Sequence, residues 1–256
     1  MIFDEETAPT YNYRPDTPQG RYIDGREKEL ILNLTSPRRG EVLLEVGCGA
    51  GDRLLLFRNK GCDVTGIESS AALLELARQK LGERVGLSPG NAEELPFSDN
   101  EFDIVSLMMP PHFAGDPEKA IGEAIRVSRG RVFIGVINSH SFVAIQRKFQ
   151  KLYEPDHHRS ARYFHLYELM GMIRQFLPDA HMQWGSVIFL PAGWYGFAVK
   201  LEESLPVMRN PFGAFLGISF PVTFNLRTVQ NIIGDPFKIK AKGVQPMQGA
   251  VREIRK

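Results

Sequence analysis

The chain has 256 residues, 43% of them hydrophobic, and 31 Lys/Arg against 30 Asp/Glu leave a formal net charge of +1. That balance excludes a global field for nucleic acid or an anionic membrane, while the apolar share is ample for one core. Two cysteines, Cys48 and Cys62, exclude a disulfide scaffold; with an acidic, polar start (MIFDEETAPT) and no apolar run of about 18 residues, a cytoplasmic protein without membrane insertion is expected.

Residues 1–20 read as an irregular arm, and residues 21–35 as a helix with Tyr22, Ile23, Leu30, Ile31 and Leu34 near one face. Pro37 through Gly40 break it. A buried strand at 41–46 runs into glycines at 47, 49 and 51, and a helix at 52–60 follows. A second strand at 62–67 ends at Glu68; Ser69 or Ser70 caps the next helix, AALLELARQKL, which Gly82 ends. A short third strand at 85–87, a connection at 91–97, a fourth strand at 102–107, a helix at 117–127 opened by Pro117 and a fifth strand at 131–137 complete the regular part. This alternation predicts an α/β chain with a parallel, doubly wound sheet. Beyond it, helices are expected at 139–153 and 166–177, separated by EPDHHRSARYFH, and strands at 182–190 and 213–220. Periodicity leaves 194–205 open between strand and helix. Residues 223–256 carry seven Lys/Arg against Asp235 and Glu253, a net +5, and read as a basic extension that is solvated or packs between subunits.

The glycine turn at a strand-to-helix junction is a place for a nucleotide-like ligand. The Lys-Ser/Thr pair of a phosphate-binding P-loop is absent after Gly47. Gly47 and Gly49 match the start of a dinucleotide fingerprint, but its third glycine is replaced by Asp52, an acid that would repel a pyrophosphate. The pattern acid-x-G-x-G-x-G is met at every position by Glu45-Val-Gly47-Cys48-Gly49-Ala-Gly51.

That stretch resembles motif I of the class I S-adenosylmethionine-dependent methyltransferases. Two further features accompany it. Glu68 stands at the end of the second strand, and Gly90-Asn91-Ala92-Glu-Glu-Leu-Pro96-Phe97 with Phe102-Asp103-x-Val105 is similar to the G-D-A-x-x-L-P-F…F-D-x-V signature of the small-molecule, "type 11" branch. Asn91 departs from the family's Asp, and Arg126-Val-Ser-Arg-Gly130 from its R-V-L-x-P-G-G. The resemblance is firm over 41–137 and general beyond, with Thr17-Pro-x-Gly20-Arg21-Tyr22 also similar to relatives. It implies a three-layer Rossmann-like methyltransferase fold, with a mostly parallel seven-stranded sheet and helices on both faces. It further implies an arm and helix over 1–35, a methyltransferase domain over 36–222 with a lid insertion at 139–165, and the extension at 223–256. The implied cofactor is S-adenosylmethionine. Glu45 would lie beneath its methionine end, Glu68 would take its ribose hydroxyls, Asn91 and Ala92 its adenine, Met108 would lie near the methionine chain, and Gly47, Cys48, Gly49, Gly51 and Ser69 would also contact it.

The family's acceptor contacts imply a pocket from Tyr22, Met109, His112, Phe113 and Tyr163 for a small organic molecule, with His112 the first candidate base and His140, His157, His158 and His165 alternatives. Enzymes that methylate nucleobase amino groups carry [D/N]-P-P-[Y/F] where this chain has Met109-Pro-Pro-His112, so a nucleic-acid substrate is not expected. Glu154, Asp156, His157 and His158 match no metal-ligand spacing, and no metal is expected. A homodimer stays open. The rival functions are a catalytically silent S-adenosylmethionine-binding partner subunit and a nucleotide-dependent oxidoreductase.

Overall fold

The structure, a computed structural model, describes residues 17–82, 85–109, 115–141, 163–190, 194 and 199–222. Helix α1 (Pro18–Thr35) starts three residues ahead of the expected boundary. Thr17 caps it, its hydroxyl oxygen accepting from Gly20 N–H at 3.0 Å, and Pro18 fills a first-turn position where no N–H is needed. Seven strands follow: β1 (Val42–Val46), β2 (Asp63–Glu68), β3 (Gly86–Pro89), β4 (Phe102–Met109), β5 (Ser128–Ile137), β6 (Gln183–Val187) and β7 (Phe215–Pro221). Between them lie α2 (Asp52–Asn59), α3 (Ala71–Leu81), α4 (Pro117–Val127), α5 (Leu166–Phe176) and α6 (Val199–Ser204). The stretch left open at 194–205 is therefore helical from 199. Of the helix expected at 139–153, only 139–141 are described. Phe224–Lys256 divides from Met1–Thr223 as a separate unit, and the basic extension lies outside the described residues.

The strands form one sheet in the order β3-β2-β1-β4-β5-β7-β6. Strands β1 to β5 pair in parallel, and β7 runs antiparallel to both β5 and β6. Helices cover both faces, which gives the α/β three-layer arrangement with a mostly parallel seven-stranded sheet. One apolar cluster joins α1, α2 and α3 to Leu43, Val64, Ile104 and Phe133; the other joins α4 and α5 to Leu44, Val105, Val132 and Leu216. Central strands are thus apolar on both sides, as parallel sheets require. The chain steps from β1 to β2 on one side and returns to β4 on the other. The carboxyl ends of β1 and β4 therefore flank the crevice where open α/β sheets bind ligands.

At the opposite end of the sheet, α4 passes directly into β5 without a loop. Gly130 lies against the backbone of Asp103, where a Cβ would strike the carbonyl, and the β4–β5 register shifts between Phe102 and Ile104. This accounts for the shortened turn at Arg126–Gly130, well away from the crevice. Among the described residues no helix is long and apolar enough to cross a membrane.

Candidate functional site

Each glycine of the turn answers a different constraint. Gly47 (φ +76°) lies where a Cβ would be 3.2 Å from the Met108 carbonyl, so β1 and β4 close up beneath it. Gly51 (φ +84°) lies under α3, where a Cβ would be 2.7 Å from Leu81 Cδ1 and 3.3 Å from Ala77. Gly49 (φ +55°) differs, since a Cβ there would meet nothing within 4 Å. Its left-handed backbone and open upper face leave room for a ligand to lie on the turn. The N–H groups of Gly47 and Cys48 donate to the Ile67 carbonyl at 2.9 and 3.1 Å, pinning the turn to β2.

Glu68 follows Ile67 and is nearly buried. Its Oε2 accepts from Gly49 N–H at 2.9 Å; its Oε1 accepts from Ser70 N–H at 2.9 Å and from the Ser69 hydroxyl at 3.3 Å. A carboxylate has about four acceptor positions, so capacity for a further donor remains, chiefly on Oε2. Ser70, not Ser69, is the cap of α3, accepting from Leu73 N–H at 3.4 Å. Ser69 is exposed beside Glu68.

Glu45 is fully buried on β1, opposite Gly66 on β2 and Ser106 on β4. Arg53, in the first turn of α2, folds back and donates from Nε to Glu45 Oε1 at 2.7 Å. The other oxygen, Oε2, and the buried Ser106 hydroxyl find no hydrogen-bond partner of normal geometry among the described residues. Burial pushes the Glu45 carboxyl above its ordinary value, with Arg53 and then Ser106 pulling against it. The Cys48 thiol, buried and facing the negative charges of Glu45 and Glu68, is pushed up to about 12 and stays protonated near neutrality.

On the adenine side of the expected site, Asn91 is exposed, and its side-chain oxygen accepts from Glu93 N–H at 3.3 Å, while Ala92 is half-buried. The following segment is tied to α4. Glu123 accepts from Leu95 N–H at 2.9 Å, and Arg126 donates to the carbonyls of Leu95 at 3.0 Å and Phe97 at 2.9 Å. The Phe97 ring meets Phe102 of β4 edge-on, with centroids 5.0 Å apart. The Leu-Pro-Phe segment is thus an anchored strap leading out of the crevice.

The expected acceptor residues divide. Met108 and Tyr22 are half-buried and pack on the same apolar cluster, on the α1 face of the sheet, and burial raises the Tyr22 phenol. Met109 points to the other face and is 1% exposed in the α4–α5 core, because neighbouring strand residues alternate sides. Tyr163 is half-buried and precedes Phe164, whose backbone bridges Ile137 and Ser139 at the carboxyl end of β5. His112, Phe113, His157 and His158 lie outside the described residues. The rings of His140 and His165 are 5.1 Å apart at that same strand end. His165 caps α5, its Nδ1 accepting from Glu168 N–H at 3.1 Å, so its basic lone pair is engaged.

The motifs did not disclose Arg53, Ser106 and Glu202. Arg53 stands eight residues beyond Glu45 across a tight turn, a spacing that returns it over the strand, and Ser106 interrupts an apolar run. Glu202 of α6, also fully buried, accepts from the N–H groups of Ile188, Phe189 and Leu190 at 2.9 to 3.3 Å just past β6, and no local pattern announces it.

Two observations test the fit of a sulfonium amino-acid nucleoside: a buried carboxylate oxygen at Glu45 with no hydrogen bond of normal geometry among the described residues, and an open glycine at 49 beside Glu68. Both suit such a ligand, with a cation for the first and a ribose for the second. Comparison with known proteins agrees. The family described as "Methyltransferase domain" matches residues 44–134. Over 110 residues the chain is 30% identical to the uncharacterized methyltransferase YcgJ of Bacillus subtilis, covering 41% of this chain and 44% of that protein. Over 185 residues it is 28% identical to a malonyl-[acyl-carrier protein] O-methyltransferase of Erwinia billingiae, covering 71% and 67%. In fold it is similar to a crystal structure of an S-adenosylmethionine-dependent methyltransferase from Thermotoga maritima, at a TM-score of 0.57 and 23% identity, covering 79% of this chain and 97% of that one. The chain spans about half the length of the first curated relatives it matches.

Proposed function

We propose, for a chain that carries a class I S-adenosylmethionine-dependent methyltransferase domain of the type 11 branch, an enzyme that moves a methyl group from S-adenosylmethionine to a small organic acceptor. The observation that carries this reading is the convergence of the open Gly49 turn, Glu68 and Glu45 at the carboxyl ends of β1 and β2. When bound, the donor supplies a methyl group made electrophilic by the sulfonium. The residues of the chain hold and orient: Gly47 to Gly51 carry the donor on the turn, Glu68 accepts from a ribose hydroxyl, Glu45 faces the ammonium, and Ala92 lies along the adenine with Asn91 as acceptor. Tyr22, Met108 and Tyr163 border the acceptor side. Such residues raise the rate mainly by fixing near-attack geometry. A base is needed only where the acceptor must lose a proton, and His112 remains the first candidate.

Titration calorimetry with S-adenosylmethionine and its demethylated product tests the donor, and transfer of labelled methyl to an acceptor panel tests the reaction. Glu68→Ala should weaken donor binding by about 1.5–3 kcal/mol, the range for hydrogen bonds to charged groups. Absence of binding in the wild-type chain would sink the reading; binding without transfer to any acceptor would favour a silent donor-binding subunit. Asp52, exposed on the first turn of α2 and paired to Lys80 at 2.7 Å, keeps a carboxylate where a dinucleotide places its pyrophosphate, which ranks the oxidoreductase lower.

A further inference from the structure

We infer that Arg53 is a positioning residue for the methyl donor: its ion pair holds Glu45 by Oε1 beneath the glycine turn, leaving Oε2 to receive the donor's ammonium group. The inference rests on the reading of this crevice as a donor pocket.

Glu45 lies on the α1–α2 face of β1, the side that also carries Ser106 and Met108 of β4. An acid at a fully buried strand position is unfavourable unless its charge is paired and both oxygens are satisfied. Arg53 meets only the first condition. The bond it makes to Glu45 runs from Nε to Oε1, where a two-pronged guanidinium clamp would occupy both oxygens. Oε2 is left buried with no hydrogen bond of normal geometry among the described residues, and the Ser106 hydroxyl beside it is its one near polar neighbour there. Folding gives no reason to keep such an atom, because an apolar side chain of similar size would serve the core better. A cationic ligand group arriving from the turn does give one. The location of Arg53 points the same way. A cation in the first turn of α2 sits at the positive end of the helix dipole, so the helix does not explain it. The pair with Glu45 does. Burial already raises the Glu45 carboxyl with Arg53 in place, and Arg53 is the first influence that opposes it, so its removal shifts the carboxyl further toward the protonated form, which attracts a cation less.

The test is S-adenosylmethionine affinity by calorimetry from about pH 5 to 8 (where most domains are most stable) for the wild type, Arg53→Met, Arg53→Lys and Glu45→Gln, with thermal melts to verify folding. The titration of the ligand's own amine is common to all four, so differences belong to the protein. Arg53→Met should bind at least about tenfold more weakly near neutrality and recover as pH rises, its onset of weakening shifted upward from that of the wild type. Arg53→Lys should restore most of the affinity, and Glu45→Gln should bind weakly with no protein-borne pH dependence. An Arg53→Met profile that overlays the wild type overturns the inference, as does a uniform loss that Arg53→Lys leaves unrepaired. If Arg53→Met fails to fold, wild-type affinity in Glu45→Gln overturns it instead. A wild-type chain that binds no donor at any pH fails the underlying reading, a different result from any of these.

Discussion

At the scale of single residues, the glycine turn separates binding from folding. An alanine at 49 would meet empty space, so its cost to the fold is the left-handed backbone alone, about 1–2 kcal/mol. The same methyl group would occupy the surface on which the proposed donor would lie. An alanine at 51 faces the same backbone cost and in addition presses on Leu81 and Ala77, which adds about 1–3 kcal/mol of overpacking. We therefore expect Gly49→Ala to lose donor affinity out of proportion to its small fall in Tm, and Gly51→Ala to show the larger fall in Tm. Melting curves with calorimetry on both variants decide this; equal ratios of affinity loss to stability loss would refute the division. The sequence displayed all three glycines and the acids around them. What it withheld was which glycine is left open, because that depends on how α3 packs over one of them and β4 over another.

Between elements, two side chains hold segments that have little regular structure of their own. Arg126 of α4 pairs with Glu123 and Asp99 and donates to two carbonyls of the Leu95–Phe97 strap. Its side chain is about one-third exposed, so Arg126→Met should cost no more than about 2 kcal/mol of global stability. Hydrogen exchange should nevertheless speed up locally over 91–99, and affinity for an adenine-bearing ligand should fall; unchanged exchange there would contradict the anchoring role. Glu202 does the corresponding work past β6. Its carboxylate accepts from three successive N–H groups, next to Ile188 at φ +68°, a conformation that a β-branched residue rarely adopts. In Glu202→Gln one oxygen must replace two, leaving at least one buried donor unsatisfied, for a loss of about 1–3 kcal/mol in chemical denaturation. A midpoint shift near zero would mean that water satisfies the turn. Neither residue was legible as functional in the sequence. Arg126 looked like part of a departed motif, and Glu202 sat in a stretch whose helical or extended state was undecided.

For the whole molecule, the alternating apolar runs and glycine breaks were sufficient to show a parallel α/β sheet, since each run is short and buried on both faces. The direction of β7 was not readable: Phe215–Pro221 is apolar apart from Ser219, and such a run carries no mark of orientation. Acid titration gives a global test of the charges this fold arranges. Hydrogen bonding from Arg131 lowers the Glu41 carboxyl, from Arg129 the Asp103 carboxyl, and from Arg126 the Glu123 carboxyl. A lowered folded value means stability that is present above the unfolded carboxylate range, about pH 4, and lost as pH falls through the folded values. Glu45 has the opposite sign. Burial raises it, so its ionised form burdens the folded chain, and protonation relieves that burden as pH falls from its raised value toward the ordinary carboxylate range. Without ligand, urea midpoints measured against pH should therefore rise or hold on mild acidification and fall steeply below about pH 4. Glu45→Gln should abolish the upper rise and leave the acid limb intact. Arg131→Met should make the acid limb shallower, and it should also lower stability at neutral pH, because Arg131 bonds the Thr35 and Ser36 carbonyls at the end of α1. An acid limb indifferent to Arg131→Met would show that the Arg131–Glu41 ion pair contributes nothing to the pH dependence.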